Sequence, residues 1–597
     1  MKEFHVPALV DVAPNDNAIA ALFDLAGKHP DRPAIAYRDG DRFVDVSLGE
    51  FAARVRQLAA GLIALGIEPG SKIALHSGTR QEFTYFDYAI WAAGCVTVPI
   101  YETSSEEQVE WIVSNSEAVA IISETQEMKD KFDAVAAGIP TCRHSIVIES
   151  GGFDQLLEGG AGVDPAEVDR RWQAIKQEDL ATLVYTSGTT GRPKGCMLTH
   201  HNFIFLVRQL VAAVPPAFHE GSSTLFFLPL AHIFARVAQV ACVSAGVKLG
   251  YSTGVPQLLE ELAIFQPTWL FSVPRVFEKV FNGAQHKAHA ESGVKGKIFD
   301  HAAKVAEEYS RQAQAGSVKP FTNIQHGLFD KLVYSKLRAA LGGQVTYAIS
   351  GGAALGERLG HFFTGVGVHI LEGYGLTETT AGSTLNRPDA TSVGSVGQPI
   401  PGVTVAIADD GEVLIKGPHI MEGYFKNDAA TAESINPDGW FHTGDIGELD
   451  GAGFLRITGR KKEILVTAAG KNVAPAVIED RIRAHALISQ AMVVGDGEKF
   501  IACLVTIDPD AFPAWAEEND KAGTAVADLV KDPELMAEVQ EAIDDGNKAV
   551  SRAEAVREFR ILPEDFTIDG GEITPTLKLR RAIVMKKYAG MVEDIYR

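Results

Sequence analysis

At 597 residues the chain exceeds what one hydrophobic core supports, so several packed units are expected. Its net charge of −22 argues against nonspecific nucleic-acid binding, and its five scattered cysteines contain no C-x-x-C pair, which excludes a thiolate cluster and fits a reducing cytoplasm. No apolar run reaches the roughly 20 residues of a membrane helix; the nearest, 225–247, is broken by His232, Arg236 and Gln239. The N-terminus carries acidic and proline residues where a signal peptide needs an apolar core. The expectation is a soluble cytoplasmic protein, with peripheral contact at the inner face of a membrane left open.

Residues 1–270 alternate helical and strand patterns, which points to α/β architecture with parallel sheets covered by helices. Over 51–65 the spacing predicts a helix with Val55, Leu58, Leu62 and Leu65 on one face and Gly66 as its C-cap. Residues 72–75 read as a buried strand. Residues 281–340 become mainly helical, with Ile298, Ala302, Val305 and Tyr309 on one face, and read as an inserted helical segment. Strand alternation returns at Val345, Tyr347 and Ile349 and stops at Gly351-Gly352. Residues 403–415 and 446–457 read as antiparallel strands, the latter turning at 450–453. Beyond Gly459 the pattern is α+β: a hairpin over 491–494 and 500–507, an acidic helical stretch over 511–551, and a final helix with Val584, Tyr588, Met591 and Ile595 on one face. This divides the chain into 1–459 and 460–597.

The most informative stretch is 185–195, YTSGTTGRPKG. Gly188 and Gly191 let main-chain N–H groups approach a ligand, Thr186, Ser187, Thr189 and Thr190 add hydroxyls, and Lys194 adds charge. Such a loop suits phosphate oxygens, and an apolar run before it with a helical pattern after Thr199 predicts a strand–loop–helix setting. It is not a Walker A loop, because Pro193 precedes the lysine and Gly195 follows it. In 372–378, EGYGLTE, Tyr374 between Gly373 and Gly375 can stack on a base, and Glu378 can hold a hard divalent cation. Read blandly, the same stretch is a helix start capped by Thr377. Asp445, in a T-G-D stretch read as a turn before a hairpin, can accept both hydroxyls of a ribose.

Together YTSGTTGRPKG, EGYGLTE, TGD, LPLAH at 228–232 and PTLKLRR at 575–581 resemble, in order, the motifs of the adenylate-forming superfamily. PIYET at 99–103, LPLAH, the helical insertion and PTLKLRR favour its long-chain fatty acyl-CoA synthetases. The resemblance implies an N-terminal domain of α/β subdomains with helix-flanked sheets and a small β-barrel-like part, then a small mobile α+β C-terminal domain. It implies that Lys578 is the catalytic lysine, assisted by His232 beside the substrate carboxylate and by Thr189 of the loop. Tyr374 and the strand end Gly351-Gly352-Ala353 then meet adenine, Thr377 meets phosphate, and Asp445 with Arg460 holds ribose. Glu378, with Ser187, takes Mg²⁺. Lys462 marks the position where the small domain swivels, and Gly470, Lys471 and Asn472 form part of a CoA surface. The family's LPLAHxxER glutamate is replaced by Ala235, while Arg236 remains, and the usual Ser-Gly before the catalytic lysine is Thr576-Leu577.

The implied substrates are a fatty acid, ATP and CoA. A fatty carboxylate attacks the α-phosphorus of Mg·ATP to give acyl-adenylate and pyrophosphate, and the CoA thiol then displaces AMP. A carrier-protein pantetheine in place of free CoA is the alternative acceptor. Chain length and the choice between monomer and homodimer are not legible, though Phe234, Trp269 and Phe271 are candidate tunnel lining.

Overall fold

Lys72–His76 is a short apolar strand with four of its five residues buried, and a seven-stranded sheet is built around it. The computed structural model describes residues 2–186, 192–568, 570–574 and 578–597. From one edge to the other, the strands are Gly423–Tyr424, Lys194–Thr199, Leu180–Thr186, Val96–Ile100, Lys72–His76, Ala120–Ser123 and His144–Val147. The last five run parallel, as expected of strands buried on both faces by helices. The helix expected over 51–65 is Leu48–Ala64, started by a capping box in which Ser47 and Glu50 exchange side-chain-to-backbone hydrogen bonds. Val55, Leu58 and Leu62 are buried, each such side chain adding about 1.5–3 kcal/mol of hydrophobic stabilisation. Leu65 is not on that face: it lies past the last turn, exposed, and Gly66 (φ +76°) turns the chain away.

One expectation fails here with consequences for the site. The 187–191 loop does not lead from a strand into a helix. Leu180–Thr186 and Lys194–Thr199 pair antiparallel, with Thr186 opposite Lys194, and the helix His200–Ala213 starts only after the second strand. The alternating burial of 194–199 is satisfied by extending the sheet, so the loop is a hairpin turn with no helix N-terminus behind it.

A second sheet orders Ser223–Phe226, Lys248–Tyr251, Pro33–Asp39 and Arg42–Ser47. The third joins Trp269–Ser272, Tyr347–Ser350 and His369–Tyr374 in parallel, then Thr384–Leu385 and Gln398–Pro399 antiparallel. The helical insertion is the crossover between its first two strands, beginning at Pro274–Glu291 and continuing through Gly293–Gln314, Pro320–Phe329 and Ser335–Ala340. The region expected to be barrel-like is an open five-stranded antiparallel sheet, edged by Lys2–His5 and Leu455–Arg460.

From Leu465 on, the described residues have cores of their own. The predicted hairpin is Ile488–Val494 with Ile501–Ile507, joined in parallel by Val556–Ile561. Ile501, Cys503 and Val505 face helices Pro475–Arg483 and Pro533–Asn547, while Ala502 and Leu504 face the C-terminal helices, the two-residue period of a strand covered on both sides. The single final helix expected from the sequence is two, Arg581–Lys587 and Ala589–Tyr596. They break at Tyr588 (φ −108°, ψ 19°), so Val584 and Ile595 are buried while Tyr588 and Met591 are half-buried.

Candidate active site

The parallel strands of the third sheet bring their C-terminal ends, 272–273, 350–353 and 374–376, to one side, where ligands of open α/β sheets bind. Glycine is required there for close approach. A Cβ on Gly351 would sit 2.8 Å from the Phe234 ring, and one on Gly375 would sit 2.2 Å from the Ala381 carbonyl oxygen. Above these strand ends opens a cavity of about 2490 Å³, lined by Thr186, Lys194, Gly351, Gly352, Ala353, Gly373, Tyr374, Gly375, Thr377, Glu378, Asp445 and Arg460, and closed from the small-domain side by Lys462 and Lys578.

The polar part of this cavity is pre-arranged. Asp445 is not on a turn before the hairpin but within the hairpin's first strand, Phe441–Leu449, directly across the register from Arg460. The Thr443 hydroxyl accepts the Asp445 N–H at 3.0 Å and donates to the Val413 carbonyl, and that local ladder keeps the segment extended. Asp445 accepts the Tyr374 hydroxyl at 2.5 Å and pairs with the Arg460 guanidinium at 3.1 Å. Burial raises its pKa, opposed by Arg460 and Tyr374. Glu378 accepts the Tyr424 hydroxyl at 2.7 Å, and the Lys194 ammonium lies 4.8 Å from the Tyr424 ring centroid. Leu376, not Thr377, stands at the start of the short 3₁₀ turn Thr377–Thr379. Glu372 is buried beside these groups, accepts the Leu355 N–H, and burial pushes its pKa up to about 7.

Lys578 reaches this group from the small domain. Its N–H donates to Thr574 Oγ1 at 3.0 Å and its carbonyl accepts the Thr574 N–H at 2.9 Å, which closes a tight loop flanked by the Ile573–Leu579 bridge. Arg581 anchors that loop by a buried pairing with Glu479 and a 3.4 Å contact with Glu463. The ammonium keeps solvent access through the cavity, yet enclosure by protein and the charge of Arg460 lower its pKa, against the pull of Asp445 and Glu378. The same ammonium acts on His232, whose pKa burial and then Lys578 lower to about 3. His232 is thus a neutral imidazole near pH 7. Its Nδ1 accepts the Phe234 N–H at 3.2 Å, which makes it the N-cap of helix Ile233–Ala245 and aims its ring at the cavity. One turn on, Arg236 is fully buried, bidentate to Asp87 (2.6 and 3.0 Å) and donating to Thr182 of the strand that leads to the 187–191 loop.

From His232 an apolar arm of the cavity runs past Phe234, Val237 and Phe271 toward Leu206, Leu210 and Phe218. Trp269 does not line it. That ring is core, edge-on to Phe218 at 5.0 Å. Ser187, Gly188, Thr189, Thr190 and Gly191 lie outside the described residues. Gly470, Lys471 and Asn472 do not line the cavity; Gly470 (φ +77°) turns an exposed loop on the small domain, where Lys471 meets Glu554. Sequence reasoning missed Tyr424, Glu372 and Arg275. The first carried no motif of its own, the second stood inside one as a spacer, and Arg275 gains meaning only from a partner more than two hundred residues away (2.7 Å to Asp508).

Across residues 22–425 the chain matches the profile of the AMP-binding enzymes, and across 462–597 that of the AMP-binding enzyme C-terminal domain. The chain belongs to the AMP-binding enzyme family. Among relatives, the AMP-binding enzyme named long-chain-fatty-acid–CoA ligase FadD15 of Mycobacterium tuberculosis is 48% identical over 600 residues, covering 100% of both chains. Human long-chain-fatty-acid–CoA ligase ACSBG1 is 30% identical, covering 96% of this chain and 84% of its own. The adenylation domain of a carboxylate reductase from Mycobacterium chelonae shares the fold, with a TM-score of 0.75 at 22% identity over 98% of this chain and 92% of that one.

Proposed function

We propose that this AMP-binding enzyme is an AMP-forming long-chain fatty acid–CoA ligase, active as a cytoplasmic protein that meets the inner face of the membrane. The observation that carries the reading is the convergence of Lys578, Arg460, Asp445, Glu378 and His232 on one cavity that continues into an apolar arm. Two anions, a carboxylate and a nucleotide triphosphate, must meet for adenylation, and positive charge fixed around the phosphates is what lowers that barrier. Lys578 supplies it where carboxylate and α-phosphate would meet, and Lys194 supplies it beside the loop at 187–191. Asp445 accepts the ribose hydroxyls in place of the Tyr374 hydroxyl, and Arg460 holds Asp445 charged despite its burial. Neutral His232 donates no charge of its own and orients the fatty carboxylate at the mouth of the apolar arm.

The donor set suits a hard cation: Glu378 presents carboxylate oxygen inside the phosphate end of the cavity, steadied by Tyr424. Glu378, with Ser187 by the sequence reading, would hold Mg²⁺, which when bound neutralises phosphate charge. The boundary between the domains falls just past Arg460, with Lys462 in the turn Lys461–Glu463 as the swivel, and the turn at 470–472 faces CoA after rotation. Full-length similarity to ligases named for CoA supports free CoA as the acceptor over a carrier protein. The test is pyrophosphate–ATP exchange with purified protein. Exchange should depend on added fatty acid and need no CoA, with thioester forming once CoA is supplied. Exchange that ignores fatty acid would end the proposal.

A further inference from the structure

The helical insertion exposes an apolar face that the catalytic cavity does not use. In the helix Pro320–Phe329 and the π-turn Asp330–Tyr334 that continues it, Phe321, Ile324, Leu328 and Leu332 are 71%, 72%, 57% and 50% exposed. Their spacing of three, four and four residues keeps them on one side of the helix. The other side is occupied: Phe329, Tyr334 and Leu337 are buried in the insertion's own core, and Thr322 receives a hydrogen bond from Gln312. The segment is therefore apolar on both faces, whereas a solvent-facing helix needs only one. Four large side chains in a row are more than the scattered exposure of an ordinary surface.

Charge indicates what covers them. Residues 281–340 hold nine Lys and Arg against five Asp and Glu, in a chain with 55 against 77. Three of these lysines, Lys319, Lys331 and Lys336, are exposed around the apolar row. A second copy of this chain, docked face to face, would bring the same lysines together and repel itself. An apolar row with a lysine collar instead matches acyl chains beneath anionic headgroups.

We propose that the outer face of 319–336 seats this protein on an anionic lipid surface, with Phe321, Ile324, Leu328 and Leu332 entering the acyl boundary and the three lysines on the phosphates. This rests on the long-chain reading of the substrate, since such acids concentrate in bilayers, but it is measurable without any substrate.

The experiment is co-sedimentation of the full chain with vesicles of phosphatidylcholine alone and of phosphatidylcholine with phosphatidylglycerol. Wild type should bind the anionic vesicles, more weakly as salt is raised. An Ile324→Asp/Leu328→Asp variant should lose binding by about tenfold or more. A Lys319→Glu/Lys331→Glu/Lys336→Glu variant, its apolar row intact, should lose the preference for anionic vesicles. Absence of wild-type sedimentation, or equal sedimentation by the Asp variant, overturns the proposal. So does a wild-type dimer in analytical ultracentrifugation that the Asp variant dissolves, because the face would then belong to a second copy. Exchange activity on a short, water-soluble fatty acid is measured in parallel. Its failure would count against the ligase reading, while the vesicle result would stand.

Discussion

At the scale of single residues, the cavity is a set of charges whose ionisation the fold has adjusted. Lys578 has a lowered pKa, so it is charged at low pH and loses its charge on the way up sooner than an ordinary lysine does. Adenylation should therefore decline along an alkaline limb lying below the ordinary lysine value, and Lys578→Arg should move that limb upward. Lys578→Ala should cut pyrophosphate exchange roughly a hundredfold or more, while thioester formation from supplied acyl-adenylate should be much less affected; rapid-quench assays of the two half-reactions would measure both. Glu372 poses the opposite question. Its folded pKa of about 7 lies above the model value of 4.5. Between those pH values the folded state holds a proton that the unfolded state has released, so stability is lost as pH rises through the interval. Glu372→Gln should match wild type near pH 4 and exceed it above pH 7, by up to about 3 kcal/mol, in denaturant titrations at the two pH values. An equal advantage at both would show that the carboxylate is not desolvated as the structure implies.

At the scale of elements, Arg236 binds the helix that presents His232 to the strand that feeds the 187–191 loop, through a pair with Asp87 that no solvent reaches. Removing one partner of such a pair leaves an uncompensated charge in the interior. Arg236→Met should cost about 3–5 kcal/mol in chemical unfolding, and adding Asp87→Leu should recover part of it. If the double variant is no more stable than the single one, the pair is not the source of the loss. The same element explains why Ala235 can stand where relatives are expected to carry glutamate: the position is buried against the core and its neighbour already has a carboxylate partner. The hairpin around 187–191 is the instructive miss. A Gly/Thr-rich turn has the same composition whether a helix or a returning strand follows, and the strand Lys194–Thr199 is fixed by its two neighbours in the sheet, one of them the distant pair Gly423–Tyr424.

At the scale of the whole molecule, the catalytic lysine belongs to one unit and its partners to the other, so their meeting depends on contacts between units. Arg275 pairs with Asp508 at 2.7 Å and Lys279 with Asp510 at 2.9 Å, which latches the start of the helical insertion to the small domain while Lys578 faces the nucleotide end. Each pair is partly exposed and contributes about 1 kcal/mol or less. An Arg275→Ala/Lys279→Ala variant should slow adenylation by a factor of about three to ten, with release of thioester from preformed acyl-adenylate unchanged or faster. Equal slowing of both half-reactions would assign the pairs to general stability instead.

The sequence by itself determined the α/β class, the helical insertion and the order of the motifs from Tyr374 to Lys578, because period, glycine placement and residue chemistry are local properties carried by a few consecutive positions. Only the tertiary structure decided that Tyr374 occupies Asp445, that Tyr424 steadies Glu378, that Glu372 is an acid held near neutrality, and that Arg275 reaches across to Asp508. Those facts are distances and burial between segments far apart in the chain, and no local pattern encodes them.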